Sequence, residues 1–405
     1  MARPYLIAFI MMIGLSEPGG ILRAQDCRDD HLEREYSVRD ELPNFSFKLS
    51  QNQEVRVAFL GSSITAQPGW RKYAMEWLKG AFPKSVFTEI NAAIGVTASD
   101  FEAYRLSDQV LRFGPDLIFI EFAVNDSKKT KETMLKAMEG MVRQVHMHDP
   151  HIDMCFVYTI KDAYLEDEIK GMLPTSKQAM EEIADYYGIS TINFGAEIAD
   201  LVCREQLIFE GTLEQDAEMV FNRDGVHPYI ETGHLLYFSI LKRNLTKALS
   251  QAQSIYRHHI RPPLFDDHFI HTKMIDLAEV NKDDQWQLIK CAGQTSLNKF
   301  SEMLPYLWHT NRTNSILTFR FRGTSVGIYD IVGPSSIQSI TLEIDGVARK
   351  VPRFDAYCSY HRMGYFLVDN LEDTAHDVRL NVNAEPFNKG AILSKRGRKI
   401  DDPIA

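Results

Sequence analysis

The ten residues VAFLGSSITA, Val57 to Ala66, join an apolar run to a polar break, and together they indicate the fold. The run is aliphatic on successive residues, which is typical of a strand buried on both faces of a parallel sheet. It ends at Gly61, where Ser62 and Ser63 precede an Ile-Thr pair that can begin a helix. Because ligands bind at the carboxyl ends of strands in open α/β sheets, the two hydroxyls are either a helix cap or a nucleophile on a rigid platform.

Similar apolar runs alternate with helical segments from residue 54 to about 250. The runs are VRVAFL (55–60), FTEINAAI (87–94), DLIFIEFAV (116–124), DMCFVYT (153–159) and STINF (190–194). Apolar residues recur between two of these runs at the three- and four-residue steps of a helix: Met134, Leu135, Met138, Met141, Val142 and Val145. Strands that alternate with helices predict a parallel sheet covered by helices on both faces, and we assign residues 54–255 to this α/β domain.

The pattern changes after YRHHIRPPLF, residues 256–265, which we interpret as a linker. The later runs alternate with period two, as half-buried antiparallel strands do: SILTFRFRG (315–323), SVGIYDIVG (325–333), SITLEIDGVARKVPRF (339–354), GYFLVDNL (364–371) and HDVRLNVN (376–383). Asp345-Gly346 has the composition of a tight hairpin turn. These features predict an all-β sandwich as an accessory domain over residues 266–405.

The first 25 residues have the features of a cleaved export signal. Arg3 precedes an apolar run, Tyr5 to Leu15, that is too short to span a bilayer but matches the length of a signal-peptide core. We therefore expect residues 1–25 to be a signal peptide and residues 26–53 to be an N-terminal extension. The mature protein is expected to be secreted or periplasmic, with no integral membrane segment after cleavage.

The net charge restricts the kinds of partner that the protein can bind, and the cysteine content restricts its disulfides. The formal net charge is -10, whereas nucleic-acid binding needs a basic face that neutralises phosphates, so we expect no nucleic-acid partner. The five cysteines are scattered without a CxxC pair, and no disulfide framework can be inferred from them. In an exported protein Cys291 and Cys358 are a candidate pair, but two buried thiols are the favoured interpretation.

Three further segments supply groups that acyl transfer would need. Gly95 follows the second strand at a point where the backbone turns sharply or approaches another group closely. Asn125 follows the third strand and carries an amide that can donate. In NRDGVHP, Asp224 and His227 are spaced so that a single turn presents both side chains to one place, and the carboxylate can fix the imidazole tautomer. A serine nucleophile requires such a base and such donors.

These four blocks, in this order, resemble the SGNH (GDSL-type) hydrolase superfamily over roughly residues 54–245. The resemblance implies a flavodoxin-like three-layer α/β fold, with Ser63 as nucleophile, His227 as general base and Asp224 as the partner that orients it. It also implies an oxyanion hole formed by the N–H groups of Ser63 and Gly95 and the side chain of Asn125. The usual aspartate after the glycine is Ser62 here, as in a GSSIT/GGSIT-like branch. The resemblance therefore does not indicate which hydrogen bonds surround the nucleophile. Neither a cofactor nor a metal is expected.

Two residues near these blocks are candidate substrate contacts. Trp70 follows the serine block and is either a rim aromatic that stacks on a sugar or a packing residue. Arg105 follows the Gly95 block and either binds a carboxylate or sugar hydroxyls or forms a surface salt bridge. The aromatic residues of the second domain are open to a similar pair of interpretations, a sugar platform or a core and interface: Trp286, Tyr306, Trp308, Tyr329, Tyr357, Tyr360 and Tyr365.

The expected function is that of an exported serine esterase that removes acetyl or similar acyl groups from a complex carbohydrate. The expected partner is therefore an acylated poly- or oligosaccharide, and the carbohydrate part follows from the resemblance alone. One alternative is an esterase, lipase or thioesterase that acts on a non-carbohydrate substrate. A second is a non-catalytic carbohydrate-binding protein. The sequence does not indicate the oligomeric state.

Overall fold

The structure is a computed structural model that describes residues 27–28, 30–213, 219–249, 254–265 and 269–396. The predicted signal peptide lies outside the described residues. The first half of the chain has the strands β1 (Tyr36–Ser37), β2 (Val55–Gly61), β3 (Phe87–Asn91), β4 (Leu117–Glu121), β5 (Asp153–Tyr158), β6 (Ser190–Asn193), β7 (Ile208–Glu210) and β8 (Val220–Asn222). Its helices are α1 (His31–Arg34), α2 (Pro43–Ser50), α3 (Ser63–Ala66), α4 (Trp70–Ala81), α5 (Ser99–Gln109), α6 (Lys131–His148), α7 (Asp162–Ile169), α8 (Thr175–Tyr187), α9 (Phe194–Cys203) and α10 (Gly233–Ala248).

Six of these strands form one sheet in the order β1-β6-β5-β4-β2-β3. β2 to β6 are parallel, and β1 is an antiparallel edge strand that pairs with β6. The order of the five parallel strands is the flavodoxin-like one, whose switch point lies where β2 has β3 on one side and β4 on the other. The predicted α/β fold class is confirmed, and the three predicted site segments follow the three strands at this switch point.

Helices cover both faces of the sheet, so consecutive residues of a strand enter different cores. Phe59 packs with Trp70, Phe119 and Tyr237 on one face. Leu60 packs on the opposite face with residues that include Ile118, Ile120 and Phe156. Burial on both faces is the reason that the parallel strands are apolar throughout rather than alternating in polarity.

The N-terminal segment and the 256–265 segment both pack on the α/β unit. Cys27 forms a disulfide with Cys203 of α9, with a Cα–Cα distance of 5.7 Å. His258 is buried and bonds through Nε2 to the Asp153 carboxylate at 2.8 Å. Within the described residues, Cys155, Cys291 and Cys358 are free and buried, and no helix is long and apolar enough to cross a membrane.

The second half of the chain is built from antiparallel strands, and the predicted all-β region is confirmed. Its strands are β9 (Asn281–Lys282), β10 (Gln287–Lys290), β11 (Tyr306–His309), β12 (Ile316–Gly323), β13 (Val326–Val332), β14 (Ser339–Ile344), β15 (Val347–Pro352), β16 (Arg362–Val368) and β17 (Thr374–Val382), followed by α11 (Lys389–Leu393). A five-stranded sheet, β15-β14-β17-β12-β9, packs on the β13-β16 pair around Val326, Leu342, Val368 and Leu380. Asp345 and Gly346 both have positive φ, as the tight β14–β15 turn requires.

The two halves pack together beside the Gly95 segment. Ile94 is 5% exposed and lies in an apolar cluster with Phe300, Leu304 and Met363 of the second half. Nearby, the Phe101 ring stacks on Tyr365 with a centroid distance of 4.4 Å. Tyr329 also contacts Phe101, so Tyr329 and Tyr365 belong to the interface, whereas Tyr306 and Tyr357 are exposed.

We predict that the Cys27–Cys203 disulfide stabilises the α/β unit. The cross-linked residues are 176 positions apart, and a cross-link over a long loop restricts the unfolded chain, which typically stabilises a protein by about 2–4 kcal/mol. Reduction, followed by thermal denaturation, is expected to lower the Tm. The control is Cys27→Ser, whose Tm should not respond to reductant; an equal response in both proteins would contradict the prediction.

Candidate active site

The structure brings Ser63, His227 and Asp224 together at the carboxyl edge of the sheet. Ser63 is the first residue of α3, directly beyond the end of β2. Its hydroxyl donates to His227 Nε2 at 2.9 Å, and His227 Nδ1 bonds to Asp224 Oδ2, also at 2.9 Å. With Nδ1 held as a donor to the carboxylate, Nε2 is the free acceptor, which is the tautomer that removes a proton from serine.

A compact turn presents Asp224 and His227 to the serine. The side chain of Asn222, the last residue of β8, accepts from the N–H groups of Asp224 and Gly225. Asp224 Oδ1 in turn accepts from the N–H groups of Val226 and His227. These short-range bonds are the reason that an Asn-x-Asp-Gly-x-His segment folds locally in this way, because Asn and Asp side chains satisfy the backbone of a turn.

The environment of Asp224 keeps its carboxyl group ionised. Partial burial raises the pKa of the Asp224 carboxyl, but the hydrogen bonds from the His227 ring and backbone and from the Val226 N–H outweigh burial. The net effect is a pKa well below the usual range for aspartate. Asp224 is therefore an anion across the neutral pH range and can stabilise a positive charge on His227.

The three groups predicted to form the oxyanion hole have no acceptor among the described residues. They are the N–H groups of Ser63 and Gly95 and the side-chain amide of Asn125. A Cβ built on Gly95 would lie 3.7 Å from Ser63 Cβ and 3.9 Å from Ser63 Cα, so Gly95 lies close beside the serine. Asn125 begins the 3₁₀ segment Asn125–Lys128 after β4, the strand next to β2. Free donors around a nucleophile are what an oxyanion hole requires.

Asp126 joins two of these loops. It is fully buried, and its Oδ1 accepts from the N–H of Ser99 at 2.9 Å, which links the Asn125 segment to the start of α5. Burial raises the pKa of Asp126 to about 7, against the opposing effect of the Ser99 hydrogen bonds. Through this hydrogen bond, Asp126 links the loops that carry Gly95 and Asn125.

The turn that carries Ser63 is held by residues that the sequence analysis did not assign to the site. Glu121 Oε2 accepts from the Thr65 hydroxyl at 3.0 Å. Arg71 Nε donates to the Thr65 carbonyl at 2.9 Å, and its Nη2 donates to the Ala66 carbonyl. No sequence signal marks these contacts, because Glu121 lies on another strand and Arg71 reaches the turn from the following helix.

Both predicted substrate contacts are buried, which corrects their interpretation. Trp70 has no exposed surface and packs edge-on against Phe59 and Phe194. Arg105 is also fully buried, where it forms an ion pair with Glu102 and donates to the Gln109 side chain at 2.7 Å. Trp70 is therefore a core residue, Arg105 is an internal structural cation, and neither presents a surface to a ligand.

Val96, next to Gly95, has an unusual backbone conformation. Its φ is 72°, in the left-handed region that disfavours β-branched residues. The side chain is 53% exposed, so packing of the side chain offsets little of the cost. The residues on either side of Gly95 and Val96 hold the backbone in this conformation. Ile94 lies in the interface cluster, and the Thr97 hydroxyl donates to the Ile94 carbonyl at 2.7 Å. Such strain, about 1–3 kcal/mol, is typical of functional sites.

We predict that Val96→Gly raises the free energy of unfolding by about 1 kcal/mol, because relief of the strain exceeds the entropic cost of a glycine. Urea denaturation would measure this difference. Val86, which is 64% exposed and is not among the residues with positive φ, provides the matched control. Val86→Gly should lower stability, and a similar loss in Val96→Gly would show that the loop carries no strain.

The comparisons with known proteins agree with this architecture. The model of the GDSL-like lipase/acylhydrolase family matches residues 59–229, from β2 to the turn that follows His227. A two-domain esterase active on acetylated mannans, co-crystallized with mannopentaose, is 19% identical with a TM-score of 0.68, and the match covers 88% of this chain and 94% of that one. A second structure of a two-domain esterase active on acetylated mannans has a TM-score of 0.67, with the same identity and coverage.

Matches to smaller proteins are confined to about half of the chain. An acetylxylan esterase from Geobacillus stearothermophilus is 17% identical with a TM-score of 0.37, and the match covers 47% of this chain and 94% of that one. No curated protein sequence matches this chain. The predicted resemblance is confirmed: residues 59–229 form a GDSL-like lipase/acylhydrolase domain, and the findings support an ester hydrolase.

Proposed function

We propose that the protein is an exported serine esterase that removes acetyl or similar small acyl groups from a poly- or oligosaccharide. The observation that carries this function is the continuous hydrogen-bond chain from Ser63 through His227 to Asp224, with each contact at 2.9 Å. A serine is a weak nucleophile at neutral pH unless a positioned base removes its proton. His227 is such a base, and the ionised Asp224 stabilises its protonated form.

The catalytic cycle follows from this chain of contacts. Ser63 Oγ attacks the ester carbonyl carbon as its proton passes to His227 Nε2, and a tetrahedral intermediate forms. His227 then gives the proton to the oxygen of the departing sugar hydroxyl, which leaves an acyl group on Ser63. A water molecule attacks this acyl-enzyme and transfers a proton to His227. Collapse releases the carboxylic acid and returns the proton to Ser63.

The oxyanion of both tetrahedral intermediates would be held by the N–H groups of Ser63 and Gly95 and by the Asn125 amide. The segments that carry these donors follow strands β2, β3 and β4, and attachment to a rigid sheet would orient them before substrate binds. Donors that are already oriented cost no reorganisation during the reaction, and a single one is worth about 10²–10³-fold in kcat.

The carbohydrate substrate is an inference from architecture. The mannan esterase resembles this chain over both of its halves rather than over the α/β part alone, since 88% of the chain is covered. The fold by itself does not set the substrate, so the choice between carbohydrate and other esters needs a direct test.

Export is supported by two features at the N-terminus. The predicted signal peptide ends at residue 25, and Cys27, two residues later, is disulfide-bonded to Cys203. Disulfides form and persist mainly in oxidising compartments such as the periplasm and the extracellular space.

The first test is hydrolysis of a small aryl acetate by the wild type and by Ser63→Ala. We expect kcat to fall by at least about 10³-fold, because the nucleophile is lost. Ser62→Ala is the matched control, since Ser62 is the adjacent serine, is fully buried, and its hydroxyl has no partner among the described residues. Equal activity of wild type and Ser63→Ala would refute the nucleophile, and loss in Ser62→Ala alone would transfer the role to Ser62.

A panel of substrates then tests the carbohydrate part of the proposal. Acetate release from acetylated mannan and acetylated xylan would be compared with hydrolysis of a long-chain ester and of an acyl thioester at equal enzyme concentration. A higher kcat/KM on an acetylated polysaccharide supports the proposal. Preference for the long-chain ester or the thioester would overturn it, and would leave the serine mechanism in place.

A further inference from the structure

Glu121 is a buried carboxylate that the proposed catalytic cycle does not use. It is the last residue of β4 and is paired in register with Gly61, the last residue of β2. Its exposed fraction is 1%. Since side chains at the ends of paired strands are neighbours, this register brings the carboxylate directly beneath the turn on which Ser63 lies.

The contacts of Glu121 converge on that turn. Oε2 accepts from the Thr65 hydroxyl at 3.0 Å, and Oε1 accepts from the Thr159 hydroxyl at 2.6 Å. Burial raises the pKa of Glu121, whereas the hydrogen bonds from Thr159, from Thr65 and from the Ser62 N–H lower it. Two of these three donors belong to residues on either side of Ser63.

The residues around Glu121 leave little freedom to the turn. A Cβ on Gly61 would lie 2.8 Å from Thr65 Oγ1 and 2.9 Å from the Glu121 carbonyl oxygen, so only a glycine fits. The Ser62 side chain contributes no hydrogen bond among the described residues, although it is fully buried. The side chains that anchor the turn are therefore Glu121 of the neighbouring strand and Arg71 of α4, and not the side chain that precedes Ser63.

We propose that Glu121 is a positioning residue that fixes the direction of the Ser63 hydroxyl and N–H by holding Ser62 and Thr65. This inference rests on the proposed function, because it assigns Glu121 a role through Ser63. Burying a carboxylate is unfavourable unless the group is well paired, and an apolar residue of similar volume often costs less, which argues for a role beyond stability.

The variant that tests this role is Glu121→Gln, which keeps the size of the side chain and removes its charge. Displacement of a catalytic group by about 1 Å costs on the order of 10²-fold. We therefore expect kcat on an aryl acetate to fall by about 10- to 100-fold with KM changed by less than about twofold. Thr65→Val, which removes one donor at nearly constant volume, should lower kcat in the same way.

Asp153→Asn is the matched control. Asp153 is also a fully buried carboxylate with hydrogen bonds to a backbone N–H and to side chains, but it is the first residue of β5 and lies at the opposite edge of the sheet. We expect this variant to lose stability while its kcat per folded molecule stays within about twofold of wild type.

A fluorophosphonate that reacts covalently with an activated serine separates positioning from folding. The labelled fraction reports the competent molecules, and the labelling rate reports the reactivity of Ser63 in each of them. A lower labelling rate with an undiminished labelled fraction in Glu121→Gln supports the proposal. If the losses of labelling rate in Glu121→Gln and Thr65→Val do not add in the double variant, the two residues act on Ser63 together. An unchanged rate with a reduced labelled fraction would overturn it and leave Glu121 purely structural.

The same experiment distinguishes failure of this inference from failure of the proposed function. If the wild type neither hydrolyses esters nor reacts with the fluorophosphonate, the serine esterase function itself is wrong. If the wild type reacts and Glu121→Gln matches it in kcat and labelling rate, only the role of Glu121 is refuted.

Discussion

The site depends on the parallel alignment of three strands, because their carboxyl ends meet at one edge of the sheet. β2 leads to Ser63, β3 leads to the Gly95 segment, and β4 leads to Asn125. Because of this alignment, the serine and the two donor loops all follow adjacent strands of one rigid sheet. The fourth component, the turn that carries Asp224 and His227, reaches the serine across 164 residues of sequence, and only the closed fold makes that contact.

The second half of the chain packs against this edge of the sheet and stabilises one of its loops. Ile94, next to Gly95, is buried among Phe300, Leu304 and Met363, and the Phe101 ring stacks on Tyr365. Exposed loops would otherwise be the most mobile parts of an α/β unit. An apolar interface on one side and the Asp126 to Ser99 hydrogen bond on the other fix the loop whose Val96 has a strained backbone.

Several buried ionisable groups lie around the same edge. Glu121, Asp126 and the Glu102–Arg105 pair are all withdrawn from water, and burial raises the pKa of Glu121, Asp126 and Glu102. Groups of this kind are costly unless each has specific partners, so they fix loop positions more strictly than apolar packing does.

The sequence by itself determined the class of fold, the place of most strands, and the residues of the hydrogen-bond chain that ends at Ser63. It did so because periodicity, turn residues and short motifs are local properties of the chain. The tertiary structure decided the rest: that Trp70 and Arg105 are buried, that Cys27 pairs with Cys203, and that Glu121 and Arg71 hold the serine turn. Those facts depend on which strands are neighbours and which helix faces meet, and a one-dimensional pattern does not encode contacts between residues so far apart.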